Sequence, residues 1–482
     1  MKNNPPPLSL RLTGLIWLAA AAVVGVALAL LYPDSYQQDG GHHYLFARWA
    51  WVHHTNFVSV WGRPLFTFLY AFPAALGYTA TRLFTVVITV TTAWQTWRLA
   101  EEQKIEQAEL VIPFLFLQPS YLLLSADVMT EPLFALIFVI ALRLHLRGRV
   151  VWGMLVASLM ILARPEGFFL GALWGVWILI DRRIKWAWWR RLPATLLLAT
   201  GMVMWWLAAL LISGDPLWIK HDWPPDWQLG GATYGRGPVW WYAKALPVIV
   251  GLILLVPFIM GFVRLVRQRR FGTGMSAFLV LFILHSLMYT RGVFGSAGYP
   301  RYFVCVSPAI AIITLAGWNE IEERLAWLSQ RTIKAILVGV LIVSSGLALF
   351  FVDGWGYARD ARAVTEMYQW FRAHERPISR LIWCQAYMDI LFDRDPWEKP
   401  TFSNDHARNL TLLRESPPGT LIFWDGETGP SWYGLRPADF EAAGYIRLRS
   451  QAYRLDGLFF HKSWQGHGGP RLEEMHLFYK EK

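Results

Sequence analysis

Acids and arginines recur at the ends of apolar runs in this chain, and these are the residues that could do chemistry. Asp34 and Asp39 follow the first run, in "DSYQQDGGHHY". Asp127 and Glu131 stand in "SADVMTEPLF", and Arg164 and Glu166 in "ARPEGF". Lys220, His221 and Asp222 share "IKHDW", and Arg291, Arg301 and Tyr302 flank "GVFGSAGYP". A guanidinium is a planar fork that binds phosphate through two parallel bonds. A carboxylate beside it can take a proton from an incoming hydroxyl. The set suits a reaction in which a hydroxyl attacks while a phosphate departs, with the positive groups stabilising the charge that develops.

Each residue also has a plainer role open to it. Asp39 is a good helix N-cap, and Asp34, after Pro33, suits a turn. Glu131 precedes Pro132 at an expected helix start, where an acid complements the helix dipole. Arg164 could pair with Glu166 or snorkel, and Arg301 could anchor a helix at the interface. His42 and His43 are adjacent, so on a helix they point in different directions. The sequence does not require a divalent metal, although Asp39 and Glu131 leave room for one.

The elements that must hold these residues are membrane spans. Of the 482 residues 55% are hydrophobic and only 16% charged, and there are 28 Trp, a residue that favours the lipid–water boundary. The net charge of +11 does not indicate nucleic acid, because Lys and Arg cluster at the ends of apolar runs. Only Cys305 and Cys384 occur, so no disulfide framework or Cys-based metal site is available. About 20 apolar residues cross a bilayer. The runs predict eleven spans, near 12–32, 81–98, 108–124, 130–147, 150–164, 167–181, 192–212, 243–263, 274–290, 301–317 and 333–352. The first is too long, and lacks the small-residue cleavage site, for a removable signal.

Basic residues set the orientation. With Lys2 and Arg11 in the cytoplasm, the turns bearing Arg98, Arg143, Arg147, Arg182, Arg183, Arg190, Arg191, Arg264, Arg267, Arg324 and Lys334 all fall on that side. The acids and arginines named first then meet on the opposite face, and the C-terminus lies outside. Residues 1–352 are expected to form the membrane unit. Its outer loop, 33–80, carries short surface helices interrupted by Pro64 and Pro73. Residues 353–482, richer in charge, are expected to form a small α/β domain outside the membrane. "LIFWDG" and "IRLRS" read as strands, and "ARAVTEMYQWFRAHE" as a helix with an apolar stripe at Val364, Met367, Tyr368 and Phe371.

Ionisable groups at membrane depth are costly and usually functional. A cavity opening outward, able to take a lipid-linked phosphate, accounts for their recurrence on one side. Five stretches carry a family resemblance at this point: "DGGHHY", "RPLF", "TEPLF", "ARPEG" and "PRYF", in that order across roughly residues 10–320. The chain resembles the integral-membrane glycosyltransferases of the GT-C superfamily, which include dolichyl-phosphate-mannose-dependent mannosyltransferases. The resemblance implies an all-α polytopic fold and a catalytic carboxylate in the first outer loop, at Asp39. It places Arg63, His43, Glu131, Arg164, Arg301 and Tyr302 at substrate-binding positions. The implied reaction is an inverting transfer of mannose or another hexose from a polyprenyl-phosphate donor to a hydroxyl of a glycan, lipid or protein. The family commonly carries a second acid directly after the first, where this chain has Gly40. A transporter or flippase of lipid-linked saccharides is the competing class. It predicts inverted repeats and helices broken at the midplane, and the sequence shows neither.

Overall fold

The structure, a computed structural model, describes residues 8–32, 38–224, 235–268, 272–354, 359–374, 376–384, 386–398, 401–455 and 471–481. Asp34 lies outside the described residues. The chain is mostly helical.

The first half runs α1 (Leu8–Leu31), α2 (Gln38–Arg48), α3 (Pro64–Ala75), α4 (Tyr78–Glu102), α5 (Val111–Phe116), α6 (Pro119–Leu124) and α7 (Thr130–Leu146), then α8 (Val150–Ser158), α9 (Met160–Ala163), α10 (Glu166–Ile180), α11 (Trp188–Ala194), α12 (Thr200–Ser213) and α13 (Trp218–His221). It continues with α14 (Trp241–Val250), α15 (Leu255–Arg267), α16 (Thr273–Arg291), a 3₁₀ turn Pro300–Val306, α17 (Ser307–Arg324) and α18 (Gln330–Gly354). Among the described residues five helical stretches are long and apolar enough to cross a membrane: Arg11–Leu31, Trp188–Ser213, Thr273–Arg291, Pro300–Arg324 and Gln330–Phe350.

Three expected spans take a different form. Residues 81–98 lie in α4, which is continuous but carries a buried threonine stripe, Thr81, Thr85, Thr89, Thr92 and Thr96. Their hydroxyls turn back onto the helix, as in Thr92 Oγ1 to Ile88 O at 2.8 Å and Thr96 Oγ1 to Thr92 O at 2.7 Å, so the stripe packs inside the bundle without orphaned donors. Residues 108–124 form three short pieces, all but one residue buried, because Pro113 and Pro119 each remove a backbone donor. The expected span 243–263 is two helices, α14 and α15, meeting at 111°. Gly251 makes the break, with φ 104°, a conformation that L side chains rarely adopt. Beyond the bend, Gly261 and Gly317 let α15 and α17 touch backbone to backbone, since a Cβ at either glycine would collide with a carbonyl of the other helix.

The tail adds α19 (Arg359–Ala373), α20 (Tyr387–Phe392), α21 (His406–Glu415), α22 (Thr428–Tyr433) and α23 (Pro437–Ala442) around four strands. These are β1 (Arg380–Trp383), β2 (Thr420–Asp425), β3 (Tyr445–Leu455) and β4 (Arg471–Lys480), in the order β1-β2-β4-β3. The β1/β2 pair is parallel and the other two antiparallel, with an irregularity between Arg447 and Arg449. "LIFWDG" and "IRLRS" both fall on strands, and the two-residue period sorts their side chains. Leu421 and Phe423 join one core with Val364, Met367 and Phe371 of α19, while Ile422 and Trp424 join another with Phe440 and Leu413. The first of these cores is continuous with that of the membrane helices.

The tail also grips the segment between α1 and α4. Arg48, at the end of α2, donates Nε to Asp393 Oδ1 and Nη2 to Asp393 Oδ2, both at 3.1 Å. His53 Nε2 meets the buried Asp395 at 2.6 Å. Gly41 faces Ile390 so closely that a Cβ there would lie 3.3 Å from it.

Candidate functional site

Residues from five separated stretches converge beside α2. Asp39 sits in the first turn of α2 and pairs with Nη2 of Arg301. Arg301 follows Pro300 in the 3₁₀ turn, so the span expected near 301–317 begins as 3₁₀ before it becomes α17. Its Nε lies 3.5 Å from Glu131 Oε1. Glu131, fully buried in the first turn of α7, also takes Arg164 Nη1 at 2.8 Å. Arg164 ends α9 in extended conformation and Glu166 starts α10, with Pro165 between them. That tight corner lets Arg164 hold Glu166 with both fork nitrogens, Nε to Oε2 at 3.2 Å and Nη2 to Oε1 at 2.8 Å. Arg164 Nη1 also donates to Thr130 Oγ1 at 2.9 Å. The chain of side chains ends at His285 of α16, whose Nε2 is 3.8 Å from Glu166 Oε1.

All seven residues singled out from the sequence as catalytic or substrate-binding lie in or against this chain. Tyr302 stacks on His285 at 4.7 Å between ring centroids, and the Arg164 guanidinium lies 5.5 Å from the Tyr302 ring. His43 stacks on Trp61 at 4.6 Å. Arg63 starts α3 with φ 62°, a strained value for a residue with a side chain, and donates Nη1 to Val60 O at 2.6 Å. The others named at the outer face lie apart. His221 pairs with Asp215 at 2.7 Å, and Asp222 accepts Val60 N at 2.6 Å, which ties two loops together. Asp127 is buried and accepts Val128 N at 2.8 Å.

Three carboxylates (Asp39, Glu131, Glu166) and three guanidiniums (Arg63, Arg164, Arg301) share the site. All are buried but Asp39 and Arg63, both half-buried; the Asp39 side chain is 39% exposed and forms the open end. Burial pushes the Asp39 carboxyl up, but the Arg301 guanidinium outweighs it, with smaller help from His43 and His42, and leaves it below the usual carboxylate range. Asp39 is therefore ionised at neutral pH. Burial holds His42 and His43 below the ordinary imidazole value, His43 the further because Arg63 faces it, so both are neutral. Burial lowers Arg63 to about 10, with Arg164 adding to the shift, and it stays charged. Among the described residues no three His, Cys, Asp or Glu side chains are placed to hold a metal ion.

The sequence reading passed over His285, Tyr242 and Tyr299. Tyr299 lies under Arg301, at 4.6 Å. His285 is 2% exposed with no hydrogen bond at either ring nitrogen, and the buried Tyr242 Oη faces Ser296. Burying an imidazole unpaired costs roughly 1–3 kcal/mol. A histidine inside "FLVLFILHSLMYTR" was the available signal, since an ionisable residue within a span is seldom idle.

No protein-family model matches the sequence, and no curated protein matches it. Solved structures do. ArnT from Cupriavidus metallidurans in the apo state superposes with a TM-score of 0.61 at 14% identity, over 86% of this chain and 93% of that one. ArnT from the same organism bound to undecaprenyl phosphate gives 0.62 at 14% identity, over 96% and 97%. The mycobacterial arabinofuranosyltransferase AftD matches at 0.45 and 15% identity, over 97% of this chain but 40% of that one. The chain shares the fold of ArnT.

Proposed function

We propose that this protein transfers a sugar from a polyprenyl-phosphate donor to a hydroxyl acceptor, with Asp39 as general base. The observation that carries the reading is the unbroken run Asp39–Arg301–Glu131–Arg164–Glu166, assembled from four stretches of an apolar chain. Two buried arginines aligned beside one ionised, partly open carboxylate match a departing phosphate and an attacking hydroxyl. The GT-C fold, shared with a protein solved with undecaprenyl phosphate bound, supports the lipid-linked donor.

In this reading the acceptor hydroxyl enters past Asp39, which takes its proton. The acceptor oxygen bonds to the anomeric carbon from the face opposite the phosphate, the glycosyl–phosphate bond breaks, and the phosphate leaves with the electron pair. The configuration inverts. Arg301 and Arg164 meet the growing negative charge. Before the donor binds, Arg301 is shared between Asp39 and Glu131; when it turns to the phosphate, Asp39 is released to act as base. Mannose or another hexose is the proposed sugar. The finer architecture belongs to the same proposal: eleven crossings including the shorter apolar helices, the N-terminus in the cytoplasm, and residues 353–482 as an extracytoplasmic α/β domain. The test is incubation of the purified chain with labelled polyprenyl-phosphate sugars and hydroxyl acceptors, followed by separation of free and transferred sugar. Release or transfer from a polyprenyl-phosphate sugar supports the reading, and inertness across the panel with a folded protein overturns it.

A further inference from the structure

We propose that Tyr242, His285 and Ser296 form the subsite for the donor's sugar ring, and that the subsite takes a neutral, hydroxylated sugar. This rests on the transfer reading above and adds where the ring is held. The three residues come from three elements: α14, α16 and the loop between α16 and the 3₁₀ turn. Each is buried; Tyr242 Oη and Ser296 Oγ face each other, and neither nitrogen of His285 has a hydrogen bond. Tyr242 and His285 have ring centroids 6.0 Å apart.

The loop that brings Ser296 is fixed in place. Trp241 Nε1 donates to Gly298 O at 2.9 Å, and Ala297 N donates to Tyr302 Oη at 3.4 Å. Gly298 has φ +73° and room for no side chain, since a Cβ there would lie 2.8 Å from Tyr289. Aromatic faces complete the surroundings: Tyr302 stacks on His285, and Phe303 lies 5.2 Å from Tyr242.

The chemistry selects the ligand. A phenol and a serine hydroxyl each donate and accept, and a neutral imidazole does one at each nitrogen. Sugar hydroxyls also donate and accept, so they satisfy every atom of such a set. An ionised phosphate only accepts and would leave the imidazole's acceptor nitrogen unpaired, and a prenyl chain would satisfy none. Both oxygens of the nearest acid, Glu166, are already held by Arg164, so the subsite presents no unbalanced charge to a charged sugar. Position agrees as well. Arg164, a phosphate partner in the proposed reaction, lies over Tyr302, and Arg301, the residue before Tyr302, reaches Asp39. One turn of chain thus borders the ring site, the phosphate site and the base.

The test compares two lipids on the purified full-length chain: undecaprenyl phosphate, and undecaprenyl phosphate carrying mannose, glucose or galactose. Tyr242→Phe and Ser296→Ala are small changes, and His285→Gln keeps a polar side chain. Each is expected to weaken the best sugar-bearing lipid about three- to tenfold, the loss of one hydrogen bond. Binding of bare undecaprenyl phosphate should change less than about twofold. Equal weakening of both lipids would show a packing role and overturn the subsite, as would no change in either, or a wild type that never prefers a sugar-bearing lipid. If the wild type discriminates as described but transfers nothing to any acceptor, the reaction reading fails while the sugar subsite is supported.

Discussion

Removing the Arg301 guanidinium should change catalysis far more than stability. In Arg301→Ala, Asp39 loses its ion-pair partner and Glu131 loses a contact at 3.5 Å. Breaking a buried pair usually costs about 3–5 kcal/mol because it strands a charge. Here neither acid is stranded. Glu131 keeps Arg164 at the shorter distance of 2.8 Å, and Asp39, 39% exposed on its side chain, can be hydrated. The expected loss of stability is therefore about 1–2 kcal/mol, in the range of one charged hydrogen bond. The catalytic loss is expected to be about 10²–10³-fold in kcat/KM, the usual effect of deleting one preorganised donor to a developing negative charge. Arg301→Lys should fall between, since it restores a point charge but not the fork. The pH profile supplies a second readout. Arg301 holds the Asp39 carboxyl down against burial, so its removal must raise that pKa, and the acidic limb of kcat/KM should move to higher pH. Donor turnover across pH, with thermal melting of the same preparations, measures both effects. A variant that keeps donor KM, kcat and the acidic limb but loses folded yield would refute the phosphate role and leave Arg301 as an interfacial anchor.

Three further outcomes follow from other parts of the molecule. Gly317→Leu should abolish folded yield, because α15 meets α17 at that point, whereas Gly339→Ala, with open space around its Cβ, should express normally in size-exclusion assays. Paired removal of the tail's grip, Arg48→Ala with Asp395→Ala, should speed hydrogen exchange in α2. Arg48→Ala alone should do little, because exposed ion pairs contribute only about 0–1 kcal/mol, and unchanged exchange in the double variant would mean that the tail does not hold α2. A reporter fused after Asp353 should read as extracytoplasmic, and a cytoplasmic readout would remove the tail from the proposed acceptor side and force a recount of the crossings.

The residues of the candidate cluster were easier to pick out in the sequence than the shape of the bundle. Asp39, Glu131, Arg164 and Arg301 stood out because charge in an apolar chain is costly, and the topology expected from the basic residues put them on one face. Two of the tail strands were legible from their pattern: β3 alternates over "IRLRS", and β2 is a continuous apolar run buried on both faces, Leu421 and Phe423 on one and Ile422 on the other. Helix continuity was harder to read. Composition cannot distinguish a lipid-facing helix from α4, whose threonines satisfy themselves inside the bundle. Nor does the run 243–263 announce that Gly251 will turn it through 111°. The grip of Asp393 on Arg48 joins residues 345 positions apart, with no local pattern at either end. His285 was visible as an imidazole in a span, but its stacking on Tyr302 was not.

Asp39→Asn tests the central claim most directly. The change keeps size and shape, and Arg301 retains Glu131, so insertion and melting should be nearly those of the wild type. Sugar transfer from a polyprenyl-phosphate donor should fall by about 10²–10⁴-fold, the contribution of a general base, while donor binding persists. An Asn variant that turns over at close to the wild-type rate would contradict the account.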